Sequence, residues 1–98
     1  MELEPLKRFD GVDGRYRLQK IGSKRDNSRV GVGQYETGDF YIHVFPATDT
    51  KPEQYAAEMV GNGFNYMRTS PIVKIVDFDE NSTTFETEGG IYKLEKTA

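Results

Sequence analysis

Few side chains in this 98-residue sequence could do chemistry, and histidine is the scarcest of them. His43 is the only histidine, and cysteine is absent. The usual pairs of a nucleophile and a base therefore cannot be assembled, and zinc with nitrogen and sulfur ligands is excluded. His43 lies in a β-forming segment between Ile42 and Val44. We interpret it as a structural histidine on a sheet face, with proton transfer or partner contact at that face as the alternative.

Metal-binding oxygen atoms occur together at one place in the sequence. The spacing of a calcium loop is matched by Asp77, Asp79, Asn81 and Glu88. However, Ser82 stands where that loop needs glycine, and the flanking residues 72–76 and 91–94 favour strands, whereas the calcium loop requires helices on both sides. We therefore interpret this segment as an acidic hairpin turn.

Paired carboxylates are the remaining route to catalysis. Glu86 and Glu88 share one face of a predicted strand, and Glu36 and Asp39 flank a predicted turn. Such pairs do acid–base chemistry only when burial separates their pKa values. Aspartate and glutamate side chains are rarely fully buried, so these pairs are not expected to be catalytic. We predict no catalytic residue, no metal and no cofactor, so the chain is not expected to be an enzyme.

Charge is distributed unevenly along the chain. Residues 1–29 carry eight Lys/Arg against five Asp/Glu, whereas residues 30–98 carry five against eleven. Such a chain can present opposite charges to different partners. The candidate basic contact residues are Arg15, Arg17, Lys24, Arg25 and Arg29. The candidate acidic contact residues are Asp77, Asp79, Glu80, Glu86 and Glu88.

Each charged set has its own functional hypothesis. The basic hairpin 15–29 could hold a phosphate backbone while Tyr16 or Tyr35 stacks on bases, although the net charge of −3 is opposite to that of most nucleic-acid binders. A solvated hairpin with charges that protect its edge is the alternative. The acidic set could occupy the basic groove of a nucleic-acid-binding protein by charge mimicry.

The elements that must position these residues are mostly strands. In the first half, alternation and turn residues predict strands at 6–9, 15–21 and 29–35, a hairpin turn at 36–39 and a central strand, Phe40–Phe45, buried on both faces. In the last third they predict a three-stranded meander at 72–78, 83–88 and 91–94. The segment 64–70 is compatible with a strand or an irregular connection.

A single helix is predicted from Thr50 to Asn62. Thr50 and Glu53 have the spacing of a capping box, and Pro52 falls in the first turn, where a missing N–H costs little. Apolar residues then recur at helical spacing, and glycine follows at 61 and 63. The predicted fold class is α+β: a small antiparallel sheet or partly open barrel of six to seven short strands with this one helix packed on it, in a single domain, 1–98.

Composition narrows the cellular setting. Without cysteine there are no disulfides, which favours a reducing compartment. The N-terminus lacks the cationic and apolar regions of a signal peptide, and no apolar run is long enough to span a membrane. We expect a cytoplasmic protein that does not enter a membrane. A homodimer is compatible with a thin core and exposed sheet edges.

The C-terminal third carries a resemblance. Thr69-Ser70-Pro71, the Phe85-x-Thr87 strand and the Tyr92-x-Leu94 strand resemble the ending of small accessory proteins of phages and mobile elements of Gram-positive bacteria. The resemblance implies no catalytic residues, and it implies a protein that acts by binding, including inhibition of a host enzyme or defence system. The leading hypothesis is therefore a non-enzymatic binding or regulatory protein with a protein partner. The alternative is a nucleic-acid-binding module.

Overall fold

A computed structural model of the chain describes residues 2–24, 30–61, 63 and 65–97. These residues form one short helix, α1 (Glu4–Lys7), and seven strands: β1 (Tyr16–Ser23), β2 (Tyr35–Phe45), β3 (Gln54–Val60), β4 (Tyr66–Arg68), β5 (Ile72–Phe78), β6 (Ser82–Thr87) and β7 (Gly90–Lys96). The strands form one open antiparallel sheet in the order β4-β3-β2-β1-β7-β6-β5. The predicted antiparallel sheet and its C-terminal meander are confirmed. The α+β class is confirmed only in part, because the fold is mostly β.

The helix predicted from Thr50 to Asn62 is wrong. Residues 54–60 form β3, which pairs with β2 from Asp39↔Val60 to Phe45↔Gln54. Thr50 caps no helix: Oγ1 of Thr48 accepts the backbone N–H of Lys51 at 3.1 Å in the turn that leads into β3. The long ladder with β2 determines the outcome, because local helical spacing cannot outweigh pairing along a whole strand. The predicted helix end at Asn62 lies outside the described residues.

The helix that does form is at the N-terminus, where a strand was predicted over residues 6–9. Backbone N–H groups of Leu6 and Lys7 both donate to the Leu3 carbonyl at 2.8 Å. Leu3, Leu6 and Phe9 are buried, so the three-residue spacing places one apolar side chain per turn against the core. Burial of these side chains along one side explains why the segment forms a helix and not the predicted strand.

Strand β2 is shared between two partners. Its first residues pair with β1, from Gln19↔Tyr35 to Tyr16↔Gly38, and the rest pairs with β3. The predicted strand at 29–35 and hairpin turn at 36–39 are therefore wrong where the chain is described, because residues 30–34 precede the strand and 36–39 lie within it. Gly38 is required where β2 changes partner, since a Cβ there would lie 2.1 Å from the Val60 carbonyl oxygen.

The prediction that Phe40–Phe45 is the central strand, buried on both faces, is also wrong. β1 holds the central position, and in this part of β2 only Phe40 is fully buried. Tyr41 and Val44, which alternation places on opposite faces of β2, are 40% and 45% exposed. Neither face of this part of β2 is therefore completely buried.

The core lies on one side of the sheet and includes residues of α1 and its flanks. Its buried members come from α1 and from every strand: Leu3, Leu6, Phe9, Tyr16, Leu18, Phe40, Ala57, Met59, Met67, Ile72, Phe85, Tyr92 and Leu94. Arg8 fixes α1 in place, since its guanidinium donates to the Ser82 carbonyl at 2.9 Å and to Oγ1 of Thr83 at 3.2 Å. The side of the sheet away from this core can therefore carry an interaction surface.

The two sheet edges differ in how they discourage pairing with another chain. β4 has only three residues, and β5 carries register shifts between Ile72 and Lys74 and between Ile75 and Asp77. Short or bulged edge strands are poor templates for an added strand. No helix in the described part of the chain is long and apolar enough to cross a bilayer.

Candidate interaction surface

The outward side of β2, β3 and β4 gathers residues that are distant in sequence. Residues opposite each other in an antiparallel ladder share a face, so Tyr41 lies on the same side as Glu58 and Arg68. Alternation adds residues two positions along each strand. We call this surface the aromatic face and define it as Tyr41, His43, Phe45, Glu58, Tyr66 and Arg68. The opposite side of the same strands holds Phe40, Ala57, Met59 and Met67 in the core.

A polar chain runs across the aromatic face from β3 to β4 through His43. Nδ1 of His43 lies 3.6 Å from Oε2 of Glu58, and Nε2 lies 3.4 Å from Nη1 of Arg68. A guanidinium can only donate, so Nε2 of His43 is the acceptor in its contact with Arg68. The arrangement fixes the ring orientation and places a histidine nitrogen beside a guanidinium at the surface.

Aromatic rings flank this polar chain. The Phe45 ring meets the His43 ring edge-on with centroids 4.7 Å apart, and the Arg68 guanidinium carbon lies 5.6 Å from the Phe45 centroid. Tyr66 is 51% exposed at the other side. Partial burial, followed by a hydrogen bond with the Glu58 carboxylate, raises the pKa of Tyr66. The face therefore combines large rings with charged groups held in place by their neighbours.

A cleft opens at the end of the aromatic face, beside Phe45. Its volume is about 470 Å³. Its lining is mainly apolar and consists of Phe45, Pro46, Thr48, Lys51, Pro52, Gln54 and Pro71. We call it the proline cleft. Because Phe45 belongs to both, the aromatic face and the proline cleft form one continuous surface, and clefts of this size suit an apolar group of a ligand.

The predicted basic residues lie beside acidic ones. Arg17 on β1 forms an ion pair with Glu95 on β7, and Nζ of Lys24 lies 2.9 Å from Oε2 of Glu86. The Lys24 ammonium lowers the pKa of the Glu86 carboxyl. These pairs form because β1 lies next to β7, which lies next to β6.

Arg15 is not part of these ion pairs. It is exposed beside a small cavity of about 130 Å³ that Asp39 also lines. Arg25 and Arg29 lie outside the described residues. Of the described members of the basic set, Arg17 and Lys24 therefore pair with carboxylates and Arg15 does not.

The predicted acidic residues fall in different places and mostly serve turns. Oδ1 of Asp79 accepts the backbone N–H groups of Asn81 at 2.8 Å and Ser82 at 3.0 Å, and the first of these does most to lower the pKa of Asp79. Oδ1 of Asp77 accepts the N–H of its neighbour Phe78 at 2.9 Å. These two carboxylates have local structural roles.

The last two acidic residues do not join them. Glu80 is exposed in the same turn as Asp79. Oε2 of Glu88 accepts from Nε2 of Gln54 at 3.4 Å, which places it beside the proline cleft. Among the described residues, no group of three or more histidine, aspartate or glutamate side chains is placed to hold a metal ion.

The aromatic face was only partly visible in the sequence. His43 was singled out for its face of the sheet, whereas Tyr41, Phe45, Tyr66 and Arg68 were missed. The spacing of Tyr41, His43 and Phe45 at every second residue was the available signal, but it was obscured by the prediction of a strand buried on both sides. Arg68 reaches the face only through pairing of β4 with β3, which no local pattern encodes.

Comparisons of the chain with protein-family models, with curated proteins and with solved structures gave no match.

Proposed function

We propose that this chain is a binding protein that acts on a protein partner through the aromatic face and the proline cleft. The observation that carries the proposal is the exposure of Tyr41 and Tyr66, 40% and 51%, on a surface that continues through Phe45 into an apolar cleft. Aromatic rings and arginine are enriched where proteins bind each other, and apolar surface rimmed by polar groups is typical of such sites.

The cellular setting and the type of partner extend this proposal. A chain without cysteine suits a reducing compartment, so we place the protein in the cytoplasm. The C-terminal resemblance to accessory proteins of phages and mobile elements adds the hypothesis that the partner is a host enzyme or a defence protein. A binding role needs no catalytic residue, which agrees with the expectation that the chain is not an enzyme.

Affinity capture with surface variants tests the proposal. The tagged full chain should retain a specific protein from a lysate of its source at moderate salt, and replacing both Tyr41 and Tyr66 by serine should abolish retention. The matched control replaces Val73 and Val76, which are exposed on β5, by serine. Retention of nothing, or retention that the tyrosine variant leaves unchanged, would contradict the proposal.

Nucleic-acid binding by the 15–29 hairpin is a second candidate, favoured by one observation. The Arg17 guanidinium carbon lies 5.9 Å from the ring centroid of Tyr35, which is 57% exposed, so a cation and a stacking surface are adjacent. Against it, Arg17 and Lys24 already pair with Glu95 and Glu86. A gel shift at low salt that is lost in an Arg15, Arg17 to alanine variant supports this candidate, and a flat titration removes it.

A further inference from the structure

The carboxylates near the proposed surface are already engaged. Their contacts are Glu58 with His43, Glu53 with the Tyr55 hydroxyl, and Glu88 with the Gln54 amide. Of the described residues that line the proline cleft, none is acidic. These carboxylates therefore contact neighbours within the chain, and in the case of Glu88 the neighbour is a residue of the cleft lining.

Two cations at the same surface, unlike these carboxylates, have no partner of opposite charge among the described residues. Arg68 lies on the aromatic face, and Lys51 lines the cleft. Over residues 2–24, 30–61, 63 and 65–97, no carboxylate lies within 4.0 Å of either charged group. Exposed cations without an ionic partner, one on the aromatic face and one in the lining of the apolar cleft, complement a ligand that carries negative charge.

Arg68 is also held in a defined orientation. Its Nη1 donates to Nε2 of His43 at 3.4 Å, and Nδ1 of the same ring lies 3.6 Å from Oε2 of Glu58. The guanidinium has five N–H donors, so it can still bind a carboxylate through two parallel hydrogen bonds.

The Phe45 ring connects this anion position to the cleft. The Arg68 guanidinium carbon lies 5.6 Å from the centroid of Phe45, and the same ring lines the cleft. An extended chain advances about 6.6 Å over two residues. A segment with an acidic residue at Arg68 and an apolar residue packed against Phe45 in the cleft would therefore have these residues about two positions apart.

These observations rest on the proposed function and give it a ligand chemistry. We propose that the surface binds an extended segment of the partner protein with an acidic side chain at one position and a proline or branched aliphatic residue about two positions away. The acidic side chain docks on the Arg68 guanidinium. The apolar residue enters the proline cleft between Phe45 and Pro52, and Lys51 adds positive charge at the rim.

Titration of the isotope-labelled full chain with short blocked peptides tests this chemistry by NMR. The probe peptide is acetyl-Thr-Glu-Thr-Pro-Thr-amide, and its controls carry Gln for Glu or Gly for Pro. We expect the probe to shift amide signals of residues 41–45 and 66–68, and we expect each control to bind about fivefold more weakly. Equal affinity for the Glu and Gln peptides, shifts confined to other parts of the sheet, or no shifts at about 5 mM peptide would overturn the inference.

Variants of the two cations connect the peptide result to the partner. Arg68→Gln should remove the preference for Glu over Gln, Arg68→Lys should keep part of it, and Arg15→Gln should leave it unchanged. Partner capture that survives combined Arg68→Gln and Lys51→Gln but not the tyrosine variant overturns this inference and leaves the proposed function standing. Capture that survives every one of these variants overturns both. The spectrum of each variant reports whether it is folded.

Discussion

Nη1 of Arg68 lies 3.4 Å from Nε2 of His43 on the outward side of the sheet, and the two residues come from strands that are not adjacent. β3 separates them and contributes Glu58, which faces the other nitrogen of the same ring at 3.6 Å. The pairing of β2, β3 and β4 thus assembles a polar chain that no single segment contains. Its position beside the proline cleft is why we place the binding function there.

Glu58→Gln should lower the pH at which Tyr66 ionises. Burial and then the hydrogen bond with the Glu58 carboxylate raise the pKa of Tyr66, and the substitution removes the negative charge that disfavours the phenolate. Ultraviolet titration measures the change, with Tyr66→Phe identifying the signal. Glu53→Gln is the matched control, because Glu53 raises the pKa of Tyr55 instead. An unchanged Tyr66 titration in Glu58→Gln would contradict the geometry of the aromatic face.

Gly38→Ala should destabilise the fold by about 2–4 kcal/mol. The added Cβ would lie 2.1 Å from the Val60 carbonyl oxygen and 2.7 Å from Cα of Gly61, so β2 and the end of β3 must separate at this position. Gly31→Ala is the control, since a Cβ there meets nothing within 4 Å, and its effect should stay within about 1 kcal/mol. Urea unfolding measures both. Equal stability of the two variants would show that β3 does not approach β2 at Gly38.

The pairing of β2 with β3 also shows why the sequence predicted the fold only in part. The meander from β5 to β7 was predicted correctly because its alternation and its turns are local. β3 was predicted as a helix because Tyr55, Ala56 and Met59 satisfy helical spacing, while Tyr55, Ala57 and Met59 satisfy strand alternation equally well. Pairing with β2 decides between them, and that pairing is a long-range property.

The candidate site was harder to predict for the same reason. Each of the charged sets was chosen from neighbours in sequence, yet the sheet order places Lys24 beside Glu86 and Arg17 beside Glu95. The aromatic face needs three paired strands, and one of them, β4, has only three residues. His43 alone was noticed in advance, because a lone histidine in a strand is conspicuous whatever its neighbours are.

Arg8→Gln should destabilise the protein by about 1–2 kcal/mol through the docking of α1. The Arg8 guanidinium donates to the Ser82 carbonyl and to Oγ1 of Thr83, and it lies 4.4 Å from the Phe9 ring centroid. Lys7→Gln, at an exposed position in the same helix, should have an effect within about 0.5 kcal/mol. Thermal unfolding of both variants provides the comparison. If Arg8→Gln matches Lys7→Gln, these contacts do not anchor the helix.

Asp79→Ala should cost stability at neutral pH, and this cost should shrink in acid. The backbone N–H of Asn81, followed by Ser82, lowers the pKa of Asp79 in the folded state. A carboxyl whose pKa is lower folded than unfolded stabilises the protein above its unfolded pKa, and this stabilisation is lost as pH falls through the folded pKa. Urea midpoints of both proteins at pH 7 and near pH ~2.5 measure the effect. Glu80→Ala is the control, and a cost that is the same at both pH values would contradict the role of Asp79.

The most direct test of the central claim is to map the contact surface on the intact protein. Amide signals of the labelled full chain would be recorded before and after adding the captured partner. The proposed function predicts that perturbed residues cluster at 41–45, 51–54 and 66–68, which belong to the aromatic face and the proline cleft. Perturbations confined to residues 15–24, or to β5 and β6, would contradict it.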